Sequence, residues 1–183
     1  PAVVGGRFEL MELLGRGNMG EVYLAEDRYT DLSVALKVTT RHGTRAHQRF
    51  RREGLIASAF DLPGLPKVVA TGSIGMRPYL VYELVRGACT LDYVFHFTQF
   101  RRRLEIVRDV AKLLGHVHLR GVVHRDVKPE NILIDMTGQI HLCDFGLASA
   151  VGLPRLSPAS RAVGTPLAMA PEQVCGEVPT PAT

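Results

Sequence analysis

The sequence predicts an α+β chain arranged as two small lobes, strands in the first half and helix plus loop in the second. Three observations predict it. Residues 8 to 40 read as three strands around a glycine-rich turn, the third alternating apolar with smaller or polar side chains at a period of two. Leu104 to Leu119 repeats apolar residues at intervals of three and four. Beyond Gly152 the chain turns loop-like and holds six of its 11 prolines. A period of two marks a half-buried strand, and a period near 3.6 marks an amphipathic helix.

The elements follow in chain order. Phe8 to Gly15 leads as a strand into a glycine-rich turn, and Glu21 to Glu26 leaves it as a second. Leu32 to Thr39 is a third, with Leu32, Val34, Leu36 and Val38 alternating against smaller or polar residues. Arg45 to Phe60 is predicted helical and is closed off by Pro63, Gly64 and Pro66. Lys67 to Ile74 and Pro78 to Leu84 read as two further strands. In the helix at 104–119, the residues expected on a buried face are Leu104, Val107, Val110, Ala111, Leu114 and Val117; Gly121 ends it. Ile132 to Ile134 and Ile140 to Leu142 are predicted as a hairpin turned at Asp135-Met136-Thr137-Gly138. The two lobes are expected to join near Glu83 to Gly87.

Composition excludes several classes. With 46% apolar and 22% charged residues, the 183-residue chain is an ordinary globular one, not a disordered one. The formal charge is +4, and arginine outnumbers lysine 18 to 4. The basic runs Arg101-Arg102-Arg103 and Arg45 to Arg52 carry no interleaved aromatic stacking pattern, so they read as solvated helix faces and no nucleic-acid partner is expected. Cys89, Cys143 and Cys175 are odd in number and lack metal-ligand spacing, which fits a reducing cytoplasm. Stretches free of charge stay within about ten residues, against the ~18 of a membrane span. There is no signal-peptide pattern, and the first residue is Pro1 rather than Met, as in an excerpt from a longer chain.

Several motifs carry chemistry. Gly15-Arg16-Gly17-Asn18-Met19-Gly20-Glu21-Val22 matches G-x-G-x-x-G-x-V, in which glycines let the backbone fold closely over phosphates and offer them N–H groups. A dinucleotide fingerprint would be followed by a helix, whereas a strand follows Gly20. Lys37 lies on the otherwise apolar strand Val34-Ala35-Leu36-Lys37. A buried ammonium needs a partner. Downstream stand His124-Arg125-Asp126-Val127-Lys128-Pro129-Glu130-Asn131 and Asp144-Phe145-Gly146. Their two carboxylates, lysine and asparagine are the residue types that handle phosphate, a hard metal ion and an incoming hydroxyl.

Together, and in this order, these motifs resemble the protein kinases. Lys128 with Pro129-Glu130-Asn131, and Gly164 to Glu172 ending in Ala170-Pro171-Glu172, resemble the serine/threonine branch in its bacterial form. The resemblance implies a bilobal fold: a complete first lobe over 1–85, with a five-stranded antiparallel sheet and one helix, and a partial, mainly helical second lobe over 86–183. It implies ATP-dependent phosphorylation of protein serine and threonine hydroxyls, with Mg²⁺ or Mn²⁺ as the metal. Asp126 is then the catalytic base and Lys128 its charge-neutralising neighbour. Asn131 and Asp144 are the metal ligands. Gly15, Gly17, Gly20 and Lys37 serve the phosphates, and Glu53, the one acid between Asp31 and Asp61, is the partner of Lys37; Val22, Ala35 and Leu133 enclose the adenine ring. Glu83 to Val85 contribute hinge backbone, and Tyr82 guards the back of the pocket. His124 and Phe145 are expected to be structural. Thr165 is expected beside Asp126 and Lys128, and phosphorylated Ser157 or Ser160 is expected to pair with Arg125. Expected partners are ATP and protein substrates, with no membrane segment inside the chain and a dimer as a route to autophosphorylation.

Two departures qualify the resemblance. Position 168 is Ala where the family usually has Tyr or Phe, and the chain ends 11 residues after Glu172, where relatives continue through further helices. The exact 1–183 fragment is therefore expected to expose apolar surface and to be nearly inactive alone. The rival readings are a nucleotide-binding pseudokinase scaffold and a small-molecule phosphotransferase.

Overall fold

The structure is a computed structural model that describes residues 2–17, 20–40, 44–59, 62–150, 165–178 and 180–183. It divides into two compact units, one of residues 1–61 and 66–85 and one of residues 62–65 and 86–183.

The first unit is a six-stranded antiparallel sheet and one helix. Its strands are β1 (Val3–Val4), β2 (Phe8–Gly17), β3 (Gly20–Asp27), β4 (Leu32–Thr39), β5 (Val68–Ile74) and β6 (Arg77–Glu83), in the spatial order β1-β2-β3-β4-β6-β5. The expected sheet had five strands. The sixth is the two-residue β1, which pairs Val3 with Glu9 and Val4 with Phe8 and is too short to leave a periodic signal. Helix α1 (Thr44–Ala59) follows β4 and turns Phe50 and Ile56 inward and Leu55 outward.

Register decides which side chains share a face, because residues directly opposite in an antiparallel pair point the same way. Lys37 lies opposite Val22 on β3 and Leu80 on β6, and Ala35 lies opposite Leu24 and Tyr82. Alternation puts Val34, Leu36, Val38, Ala25, Tyr79 and Val81 on the other face, where they join Val4 and Phe8 in a core. Phe8 and Tyr79 meet edge-on at 6.2 Å. A side chain at Gly72 would overlap the Tyr79 ring, which explains a glycine inside β5.

Asp27 closes the β3–β4 turn. It accepts from Arg7 Nε at 2.7 Å and Nη2 at 2.6 Å, from the Tyr29 N–H at 3.1 Å and from the Thr30 hydroxyl at 3.0 Å. The Arg7 guanidinium, helped by these neutral donors, holds the Asp27 carboxyl well below the ordinary carboxylate range. A carboxylate whose folded pKa is depressed contributes stability that is present above its unfolded pKa and lost as pH falls below it. We expect Asp27→Asn to lower the melting temperature at pH 7. Its loss of stability between about pH 4 and pH 2 should also be shallower than that of the wild type, measured by thermal melts across that window.

The second unit begins with β7 (Cys89–Thr90), α2 (Leu91–His96) and the long α3 (Phe100–His118). The hairpin of β9 (Ile132–Ile134) and β10 (Ile140–Leu142) falls where the sequence predicts it, and β7 extends it by pairing with β9. Two short strands, β8 (Val122–Val123) and β11 (Ser149–Ala150), pair on either side of the motif region. Helix α4 (Pro171–Val174) closes the described chain.

Helix α3 corrects the expected buried face. Its buried residues are Ile106, Val110, Leu113 and Val117. Leu104 and Val107 are 54% and 53% exposed, continuing a stripe through Phe100. The helix carries two apolar stripes, and periodicity alone does not say which one the fold covers. Phe97 and Leu119 are exposed as well. A purified 1–183 polypeptide is therefore expected to self-associate at micromolar concentration and to melt at low temperature. Light scattering and calorimetry check this; a monomer melting above about 55 °C, inside the usual mesophilic range, contradicts it.

Candidate active site

In the first unit, the glycines of the turn divide their work. A Cβ at Gly20 would collide with the backbone carbonyl of Val38, so Gly20 is required by the close approach of β3 to β4. Cβ atoms at Gly15 and Gly17 would meet no described atom within 4 Å, so the strand that carries them presents open backbone. Asn18 and Met19 lie outside the described residues.

Lys37 is 8% exposed and Glu53, on α1, is 2% exposed. The ammonium donates to both carboxylate oxygens, at 2.7 and 2.8 Å. The helix reaches the sheet because Gly54 leaves room for Leu80, whose side chain a Cβ there would press. Val22 and Ala35 stand on the same sheet face as Lys37. At the end of β6, Glu83 donates its N–H to the Lys67 carbonyl at 2.9 Å, and Val85 follows half-buried.

Sequence reasoning expects Tyr82 at the back of this group but missed its bond to Glu53. The Tyr82 hydroxyl donates to Glu53 Oε1 at 2.7 Å. The β4–β6 register that carries Tyr82 into line with Ala35 is invisible in local sequence. Tyr82→Phe removes one oxygen and one hydrogen bond to a charged acceptor, and should cost about 1.5–3 kcal/mol of stability. Chemical denaturation of the two proteins measures it.

The second unit holds the catalytic-loop motif between β8 and β9. Asp126 is buried and its carboxylate gathers four donors. Oδ1 accepts from the Thr165 N–H at 3.0 Å and from the Thr165 hydroxyl at 2.8 Å. Oδ2 accepts from Asn131 Nδ2 at 3.1 Å and faces Lys128 Nζ at 3.3 Å. Lys128 also donates to the Thr165 hydroxyl at 2.9 Å, so Thr165 stands where the sequence reading expects it. Asn131 donates a further bond to the Asp126 carbonyl at 2.8 Å, which turns its amide oxygen away from Asp126. Leu133 is half-buried on β9.

His124 is fully buried beneath this loop. Its Nε2 lies 2.9 Å from the Cys143 carbonyl, and its Nδ1 accepts the Asp126 N–H at 3.3 Å. Both bonds are satisfied by the neutral ring with its proton on Nε2, and burial pushes the imidazole pKa down in the same direction. The ring also meets Phe145 edge-on at 4.7 Å.

Asp144 adopts a left-handed conformation, φ 64°, and caps the following 3₁₀ turn of Phe145–Leu147 through the Gly146 N–H at 3.4 Å. Arg125 is left-handed too, φ 65°, and its Nε donates to the Leu147 carbonyl at 2.6 Å. Ser157 and Ser160, the expected phosphorylation sites, lie outside the described residues, as does Gly164.

The family model described as Protein kinase domain matches residues 8–182. This chain belongs to the protein kinase family. It is similar to the serine/threonine-protein kinase PrkC of Bacillus subtilis, 32% identical over 182 residues. It is also similar to the serine/threonine-protein kinases PknB of Mycobacterium leprae and Mycobacterium tuberculosis, 36% identical over 187 and 188 residues. Each match covers 97% of this chain and 28 to 30% of the relative, so the kinase chain spans under a third of the length of the proteins it matches. Among the described residues, no helix is long and apolar enough to cross a membrane.

Proposed function

We propose that the intact protein transfers the terminal phosphate of ATP to serine and threonine hydroxyls of other proteins. The observation that carries this reading is the Asp126 carboxylate accepting a threonine hydroxyl while Lys128 holds the same oxygen. A side chain so placed can take the proton of an alcohol as its oxygen attacks phosphorus. In the reaction the oxygen–phosphorus bond forms, the bond from phosphorus to the bridging oxygen breaks, ADP leaves, and the proton passes to Asp126. Lys128 offsets negative charge on the phosphoryl group in flight.

Residues 1–85 are assigned the nucleotide. Lys37, oriented by Glu53, binds its phosphates, Gly15, Gly17 and Gly20 shape the backbone over them, and Val22 and Ala35 line the adenine. The Glu83 and Val85 backbone reads the adenine edge, and residues 86–183 add Leu133. Asp144 and the Asn131 amide oxygen are hard oxygen donors suited to Mg²⁺, or to Mn²⁺, whose charge would neutralise phosphate oxygens. Three cysteines, an odd number without metal-ligand spacing, support a cytoplasmic location, and pairing of two copies is a route to autophosphorylation.

The deciding experiment incubates the intact protein with labelled ATP, Mg²⁺ and a generic basic protein, beside Asp126→Asn. Label on serine or threonine that vanishes in the variant supports the proposal. ATP binding without transfer favours a pseudokinase scaffold, and transfer to small molecules alone favours the other rival.

A further inference from the structure

Gln173 stands 48 positions from Arg125 in sequence, yet its side chain is 7% exposed and ties the two segments together. Its Nε2 donates to the Arg125 carbonyl at 3.0 Å, and its Oε1 accepts the Ala170 N–H at 3.1 Å. A primary amide is a donor at one atom and an acceptor at the other, so one planar group satisfies a carbonyl and an N–H at once.

The carbonyl it holds belongs to the peptide unit joining Arg125 to Asp126. The N–H of that same unit donates to His124 Nδ1. The plane that leads into Asp126 is thus held on one side by His124 and on the other by Gln173, next to a left-handed Arg125. The segment from Thr165 to Gln173 meets the catalytic loop twice: Thr165 at the Asp126 carboxylate and Gln173 at the Arg125 carbonyl.

We propose that Gln173 is a positioning residue that locks the segment following Thr165 to the backbone presenting Asp126, so that one clasp sets the order of both. This inference rests on the phosphotransfer reading given above. Its physical basis is that a part-buried carbonyl that loses this donor must move or take up water, and a small displacement of a reacting group has a large effect on rate.

The test compares wild type, Q173L and Q173E in the intact protein. In Q173L, amide hydrogen exchange is expected to quicken at both 122–131 and 165–175, the peptide KM to rise roughly tenfold and kcat to fall, with nucleotide affinity unchanged. Q173E faces the Arg125 carbonyl with a carboxylate; burial and that oxygen raise its pKa, so its defect should shrink as pH falls from 8 toward 6, which the wild type does not show. Unchanged exchange and unchanged peptide KM in Q173L overturn the clasp. So do equal, pH-independent defects in Q173L and Q173E, which mark a packing role alone. If wild type transfers no phosphate, the function assigned above fails, while the exchange data and their pH dependence in Q173E still decide the clasp.

Discussion

Asp126→Asn is expected to lower phosphate transfer by about 10²- to 10⁴-fold, the range that a positioned general base contributes. Nucleotide affinity should stay within about twofold, because the phosphate-binding residues assigned to the first unit are untouched. Size is conserved, so the effect is one of chemistry. Four donors converge on this carboxylate: two from Thr165, one from Asn131 and one from Lys128. An asparagine offers one acceptor oxygen and turns an NH₂ group toward donors at the other position. It can neither take the hydroxyl proton nor satisfy both sides of its own surroundings. Labelled-phosphate transfer and a nucleotide titration on the same preparation separate the two effects. A variant that keeps more than a tenth of the wild-type rate removes Asp126 from the role of base.

The second large effect concerns the buried ion pair. Lys37→Met leaves the Glu53 carboxylate without its ammonium in a site that is nearly closed to water, although the Tyr82 hydroxyl still donates to it. Breaking a buried pair by removing one partner costs about 3–5 kcal/mol. We expect a clear fall in the denaturation midpoint together with loss of nucleotide binding. The double variant Lys37→Met, Glu53→Gln buries no charge and keeps an acceptor for Tyr82. It should recover most of the stability and none of the nucleotide affinity. That split separates folding from binding, since a purely structural lysine would have both restored together. Chemical denaturation and nucleotide titration of the single and double variants provide the comparison.

Much of this molecule is legible in its sequence. The alternation of β4 and the hairpin at 132–142 are local patterns, and they appear where periodicity puts them. The pairing of Lys37 with Glu53 is what the kinase resemblance implies, and the structure shows it. What stayed hidden depends on residues far apart in sequence. Tyr82 reaches Glu53 through the β4–β6 register, and Gln173 reaches Arg125 across 48 residues. Helix α3 shows the limit from the other side: with two apolar stripes, its period fits either face, and the predicted face included Leu104 and Val107, which lie in solvent.

By itself the sequence determined the chemistry available to this kinase: a glycine-rich turn, a lysine, two acids, an asparagine and their order along the chain. Those are properties of residue type and spacing, which a linear chain carries without folding. Only the tertiary structure decided how the carboxylate of Asp126 is used, because its four donors come from three residues, the farthest 39 positions away. It also decided that Gly20 serves strand packing while Gly15 and Gly17 face open space, a distinction set by where the Val38 carbonyl passes. Hydrogen bonds and close contacts act over a few ångströms, so the partners of a buried polar group are settled only when distant segments are brought together.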